Sequence, residues 1–434
     1  MDQTIPGLYY EYGKYINEFR QFPLSVDGLR PVERRVLLST YLIARNKFVK
    51  SARVDGYTIG NYHPHGNCYG TISQLVNQGF IVGQGNFGSK NGSEPTPPAA
   101  SRYTEVRLNE KMIDMCFKHI DHVNWELNDL GEKEPDNLPS MFPLCLLGTD
   151  YTQGIGFGFK TFIPCYKLED LKERLLWLIG KKEEEPIIKP ITDCIITSGD
   201  EVLKELLKTG KAKIDTEGII EETPRNHSVI LKSWPIGKKF ETLLNKFSKE
   251  LDNQDISWID LSSEETSIRF EVLKQRNKDL IYKNFVEKLK VAIKGNVSFE
   301  TIVVDSLDSE VKLKSIDSLL VDTYNAYTNI NKIDLSFQIK KLQETITELK
   351  ILEKLKPYLS KVLIPKIDID KAINEISTKS KIDKKIIKYL FSKYKIQKLL
   401  SSNFDNSKLV SEQTIHKTNL ANIETFVLDQ YKNL

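Results

Sequence analysis

SARVDGYTIGNYHPHG, residues 51–66, reads as a short helix running into a His-Pro-His-Gly segment. Upstream, PVERRVLLSTYLIARN (31–46) reads as a helix: Pro31 suits its first turn, and Val32, Val36, Leu37, Tyr41 and Leu42 give an apolar face opposite the arginines. Downstream, NCYGTISQLVNQ is a third short helix. Arg30, Arg34, Arg35, Arg45, Lys47, Lys50 and Arg53 fall in this span with Glu33 as the opposing acid. A solvated helix face would carry the same charges, but a locally basic surface is also what a nucleic-acid contact requires.

Three short helices with a basic face have the outline of a helix-turn-helix or winged-helix unit. After them, GQGNFGSKNGSEPTPPAAS (83–101) is rich in Gly, Pro and small polar residues and reads as loop, and SRYTEVRL alternates as a strand does. KKEEEPIIKP, from Lys181, reads as a linker or surface excursion. Beyond it, strand-like HSVILKSWPI and TSIRFEVLK alternate with helical EVLKELLKTG and IYKNFVEKLKVAI, implying a mixed α/β domain to about residue 330. Leu335, Ile339, Leu342, Ile346, Leu349 and Leu352 then recur at four- and three-residue steps, ending near Pro357, as in a coiled-coil seam. An ordinary helical bundle has the same periodicity. A helix at about 409–432, with Ile415, Leu420, Ile423, Val427 and Tyr431 on one stripe, is expected to return antiparallel, leaving 361–405 as a helical knob. The fold class is α+β, multidomain.

The 434 residues allow two to four domains, and a net charge of +3 excludes a globally basic nucleic-acid binder. Cys68, Cys116, Cys145, Cys165 and Cys194 show no C-x-x-C pairing and are odd in number, arguing for a reducing compartment. The sequence shows no signal-peptide pattern and no bilayer-spanning apolar run, so a cytoplasmic protein without a membrane partner is expected.

DGLRPVERRVL (27–37), YHPHG (62–66), GQGNFGS (83–89) and AASRYTEVRL (99–108), in this order and spacing, closely resemble the breakage-reunion domain of the type IIA DNA topoisomerase family that holds gyrase A and topoisomerase IV A, over about residues 10–165. A fainter likeness extends to the C-terminus, and the short form is most similar to the medium subunit of T-even-type phage topoisomerases. The resemblance implies an N-terminal arm (1–30), a winged-helix DNA gate (31–165), an α/β tower (166–330), and a long antiparallel coiled coil with a helical C-gate knob (331–434). It makes Tyr103 the nucleophile that forms a 5′-phosphotyrosyl link, with Arg102 beside it. It sets His63 and His65 near the scissile phosphate as hydrogen-bond or proton donors. Arg20, Arg30, Arg34, Arg35 and Arg53 become DNA contacts, and Ile155 in TQGIGFGF becomes the wedge that bends gate DNA. The chemistry suits these residues: a phenol ionises near pH 10 and needs cationic neighbours, and Arg102 offers planar paired donors to the phosphate.

The chain departs from the family at Asn67, where an acid is usual, at Glu33, where many relatives carry a basic residue or His, and in a shorter stretch from HPHG to GQGNFGS. That shortening trims the recognition helix and leaves the drug-contacting positions unassigned. The one clear D-x-D, Asp368-Ile369-Asp370, follows Pro365 and precedes AINEI, as a helix start does. With no G-x-x-x-x-G-K-[ST] loop either, the resemblance puts Mg²⁺ and ATP on a separate gyrase B-like polypeptide bearing the TOPRIM and ATPase domains, and no metal site in this chain. It also implies a homodimer. With no repeated β-blades in the sequence, relaxation or decatenation is expected, not supercoiling. Two other readings stay open: a non-cleaving DNA-bending scaffold of the same fold, and an HUH-type single-strand relaxase using His63 and His65 as metal ligands. Against the relaxase, Pro64 stands where a large apolar residue is usual and no third ligand stands out.

Overall fold

The computed structural model describes residues 5–274, 276–362, 369–394 and 406–434. The chain divides into two compact units, one up to Tyr327 and one from Thr328 to Asn433. It mixes helices with several small sheets and one long helix, an α+β architecture.

The first unit opens with α1 (Ile5–Ile16), a π-helical turn (Asn17–Gln21), α2 (Pro31–Ile43), α3 (Ser51–Asn61) and α4 (Tyr69–Asn77). An antiparallel sheet of β1 (Val49–Lys50), β3 (Glu105–Leu108) and β2 (Ile81–Gln84), in that spatial order, accompanies α2–α4. Pro31 occupies the first turn of α2 as expected, and Glu33 closes a capping box by accepting the Arg30 N–H at 2.8 Å. The two-faced pattern expected for α2 is not what forms. Val36, Leu37 and Leu38 are buried, but so are Glu33, Arg34, Ser39 and Thr40, while Leu42 is exposed. The helix is central, walled by neighbours on nearly every side, so one apolar stripe does not describe it. The turn before it needs glycine at position 28: φ is +69°, and a Cβ there would lie 2.4 Å from the Leu144 nitrogen.

Two larger sheets and two two-stranded hairpins complete this unit. Five strands lie in the order Tyr151–Ile155, Lys160–Pro164, Lys294–Glu300, Lys211–Glu217, Ile195–Ile196, and pack on the helix Asp200–Thr209 through Phe162, Leu203, Leu206, Ile214 and Phe299. This sheet joins strands from both sides of residue 165, so the core runs across the expected boundary between gate and tower. Four more strands, Ile220–Thr223, Ser228–Leu231, Ile268–Val272 and Ile256–Asp260 in that order, cover the helix Lys278–Ala292 around Phe240, Phe247, Phe270 and Phe285.

The expected linker from Lys181 has no regular structure, but it is no free tether. Ile188 is buried, and Glu185 and the Pro186 carbonyl both accept from the fully buried Arg174 guanidinium, which also grips Asp317 at 2.7 and 2.8 Å. Asp317 lies in the first turn of the long helix Ile316–Val362, so a buried ion-pair cluster fixes where that helix begins.

In the second unit the seam expected from Leu335 belongs to this same helix, which continues through Pro357 to Val362 instead of stopping there. Proline removes the donor that would reach back a turn and crowds the carbonyl there, yet the helix runs on, with Leu355 and Leu359 buried on either side of it. Leu335, Ile346 and Leu352 are buried, with Ile339, Leu342 and Leu349 half-buried. The returning segment is two helices, Ser407–Ala421 and Ile423–Asn433, not one. Gln413 reaches Gln343 and the Ile339 carbonyl, and Gln430 reaches Asn331, so the direction is antiparallel. Val427 and Tyr431 are buried as expected, but Ile415 is exposed and Gln413 takes the inward place. Of the expected knob, helices Ile369–Ser380 and Lys384–Lys393 pack Ile373, Ile376, Ile387 and Leu390 on Leu352, Leu355 and Leu359. Asp370 stands in the first turn of the former helix, as the D-x-D reading anticipated, while Asp368 and the rest of the knob lie outside the described residues. Among the described residues no helix is long and apolar enough to cross a membrane.

Candidate active site

Tyr103 lies in the turn between the 83–101 loop and β3, with its side chain 66% exposed. The turn is held from behind. Ser51 N–H donates to the Thr104 carbonyl at 3.0 Å, Ala52 N–H to the Ser101 carbonyl at 3.2 Å, and Thr104 Oγ1 to Ser51 Oγ at 2.8 Å. The Tyr69 hydroxyl donates to the Ala99 carbonyl at 2.6 Å and lies 3.0 Å from Thr104 Oγ1. Two residues of the first turn of α3 and one of α4 thus lock the backbone around a solvent-facing phenol. The Arg102 guanidinium stands over the Tyr103 ring, 4.6 Å from its centroid, where its charge meets the negative ring face.

The histidines form a separate cluster. His63 and His65 follow α3, their rings 5.1 Å apart and nearly perpendicular. Arg35, from α2, sets Nη1 3.2 Å from His63 Nδ1 and gives Nε to Glu134 at 2.7 Å. Arg20, from the π-helical turn, sets one nitrogen 3.2 Å from both ring nitrogens of His65. Equal distances put that guanidinium across the ring, not on one lone pair. Partial burial, then Arg35, His65 and Arg20, push His63 down to about 4, and burial with Arg20 lowers His65, so His63 is neutral near pH 7. A cation facing each ring is a poor setting for a divalent metal ligand, which argues against the relaxase reading.

The remaining expected contacts divide by burial. Arg53 is exposed, without an acid partner among the described residues. Arg30 is drawn to Glu33 at 2.5 Å and to Gln74 at 3.1 Å, and its capping role ties it to α2. Arg34 turns inward from the surface. It is buried and doubly bonded to the fully buried Asp27 at 2.7 and 3.1 Å, because adjacent helix positions point about 100° apart and α2 turns this one inward. Ile155 is 72% exposed at the tip of a hairpin, paired across it with Lys160. Asn17, buried in the π-helical turn, clasps that tip by bonds to the Phe157 N–H and carbonyl at 2.7 and 2.8 Å. Asn67, in place of the usual acid, accepts the Tyr69 N–H at 2.7 Å just ahead of the nine-residue α4, whose N-cap position is Cys68, and an aspartate could accept that bond equally.

Asn17, Ser51, Tyr69 and Glu134 escaped the sequence reading, because each works through a partner far along the chain. Tyr103 and the histidine cluster sit at opposite ends of α3, whose eleven residues at about 1.5 Å each span roughly 16 Å. Among the described residues no hydrogen bond or ring contact joins them.

The model of the family of DNA gyrase/topoisomerase IV A subunits matches residues 20–433. DNA gyrase A of Mycolicibacterium smegmatis is 28% identical over 350 residues, 74% of this chain and 40% of the relative. That of Mycoplasma genitalium is 28% identical over 416 residues, 90% of this chain and 47% of the relative. That of Campylobacter jejuni reaches 38% over 197 residues, 42% of this chain and 22% of the relative. This chain belongs to the family of DNA gyrase/topoisomerase IV A subunits, the A-type polypeptides of type IIA topoisomerases. It spans less than half the length of these relatives.

Proposed function

We propose that this chain is the DNA-cleaving and religating subunit of an ATP-dependent type IIA topoisomerase, making a transient staggered double-strand break through 5′-phosphotyrosyl links at Tyr103. The observation that carries this reading is the exposed Tyr103 phenol on a rigidly held turn, with the Arg102 guanidinium over its ring. The phenol gives up its proton as its oxygen bonds to phosphorus, the bond to the 3′ oxygen breaks, and that oxygen takes up a proton as it leaves. The phosphotyrosyl ester keeps the bond energy, so the reverse attack reseals the strand. Arg102 offers donors to the phosphate as charge builds, and His63, His65, Arg20 and Arg35 form the remaining phosphate cradle.

Because one chain holds these two halves at opposite ends of α3, two copies complete each site, the Tyr103 turn of one meeting the histidine cluster of the other. In this homodimer α2–α4 with their sheet serve as the winged-helix DNA gate, the two larger sheets as the tower, and the second unit as the C-gate. The carboxylate beside the cluster, Glu134, is paired with Arg35, and each histidine ring faces an arginine, so this donor set does not fit a divalent ion. We therefore assign Mg²⁺ and ATP to a gyrase B-like partner carrying the TOPRIM and ATPase domains. Trapping the reaction of this chain, that partner, Mg²⁺ and duplex DNA with denaturant is expected to leave a covalent adduct mapping to Tyr103. No adduct would instead favour a DNA-bending scaffold, and an adduct formed without partner or second strand would favour a relaxase. Relaxation, decatenation and supercoiling are read from the same reconstituted complex, the first two being expected.

Ile155, exposed at its hairpin tip, supports the wedge role. Ile155→Ala is expected to reduce the bend in duplex DNA, seen as a longer end-to-end distance by fluorescence energy transfer, and to lower cleavage about tenfold, with little change in non-specific affinity. An unchanged bend would remove Ile155 from that role.

A further inference from the structure

We infer that Glu134 is a positioning residue: by holding Arg35 it decides which ring nitrogen of His63 carries the proton, leaving Nε2–H free to donate to the scissile phosphate. The phosphate part of this statement rests on the proposed function; the hold on His63 stands on geometry alone. Arg35 Nε donates to Glu134 Oε1 at 2.7 Å, with both side chains mostly buried. The same guanidinium sets Nη1 3.2 Å from His63 Nδ1. A guanidinium has no lone pair to offer, so Nδ1 must accept, and the single proton of the neutral ring lies on Nε2. Arg35 Nη2 has no partner among the described residues and remains for a phosphate oxygen. The second oxygen of Glu134 takes Asn128 Nδ2 at 3.3 Å, and that nitrogen also donates to the Asn61 carbonyl at 2.8 Å.

Asn61 ends α3 two residues before His63. One hairpin, Trp125–Leu127 with Lys133–Pro135, therefore holds both the guanidinium that faces the ring and the backbone that delivers it. The charged and titratable groups facing His63 are Arg35 from α2, Arg20 from the π-helical turn and His65 from its own loop. With the carboxylate gone, Arg35 is free to turn to solvent, the ring can adopt Nδ1–H, and its protonation moves up toward the ordinary histidine range.

The test uses the full chain labelled with ¹⁵N-histidine, as wild type, Glu134→Gln and Glu134→Ala, with His63→Gln to assign the signal. Wild type is expected to show the Nε2–H tautomer and no His63 titration above about pH 5. E134A should mix the tautomers, raise the titration by about one pH unit or more, and lower adduct yield with the partner on the order of tenfold. E134Q, whose amide oxygen can still accept from Arg35, should fall between. A wild-type Nδ1–H tautomer, or tautomer and titration unchanged in the variants, overturns the inference. If E134A does not fold, E134Q decides by the same signals. Absence of adduct from wild type would sink the Tyr103 reading, while the tautomer spectra would still judge Glu134.

Discussion

Tyr103→Phe is expected to abolish the denaturant-stable protein–DNA adduct and to lower strand cleavage on the order of 10⁴-fold or more. The substitution removes one oxygen from an exposed ring. The turn behind it is held by Ser51, Thr104 and Tyr69, none of which touches the phenol, so folding and DNA affinity should stay close to wild type. The Arg102 stacking also survives, since a phenylalanine face still attracts a guanidinium. Cleavage gels on reconstituted complex, beside a filter-binding curve, separate lost chemistry from lost binding. Adduct persisting on another tyrosine would overturn the assignment.

Arg34→Met carries the second large effect, and it falls on folding. The substitution leaves the Asp27 carboxylate buried without its cation, though still accepting the Leu29 and Leu138 N–H groups at 3.0 Å. Stranding one member of such a pair costs about 3–5 kcal/mol. The urea midpoint of the chain should drop accordingly, while the salt dependence of DNA affinity for the folded fraction stays as in wild type. Arg20→Ala should do the reverse, leaving stability within about 0.5 kcal/mol of wild type and reducing the salt slope by roughly one. A reduced salt slope for Arg34→Met would return that residue to the DNA surface.

These two arginines show where sequence reading reaches its limit. The motifs around Tyr103 and His63 were legible because their residues are contiguous, although the groups that hold the Tyr103 turn, Ser51 and Tyr69, lie far along the chain. The direction of Arg34 was not, since Arg34 and Arg35 adjoin on one helix and only the position of Asp27 says which turns inward. The same applies to Glu134, whose partner lies 99 residues away. In the fold, strand-like and helix-like runs beyond residue 190 appeared near their expected places, because alternation and periodicity report local burial. The two-faced reading of α2 failed because the helix is enclosed. Leu335 to Leu352 gave the seam but not its start, which depends on Arg174 meeting Asp317, nor the inward place of Gln413, a polar group satisfied by Gln343 across the gap.

On the proposed function, the length of α3 acts as a safety catch on a dangerous reaction. If each half-site works only with its complement on another copy, a solitary chain that meets DNA should grip it or touch it with a phenol without severing it. Breakage should then await an encounter between copies, so at high dilution its rate should climb with the square of chain concentration, and scarcity of the protein would itself guard against stray scission.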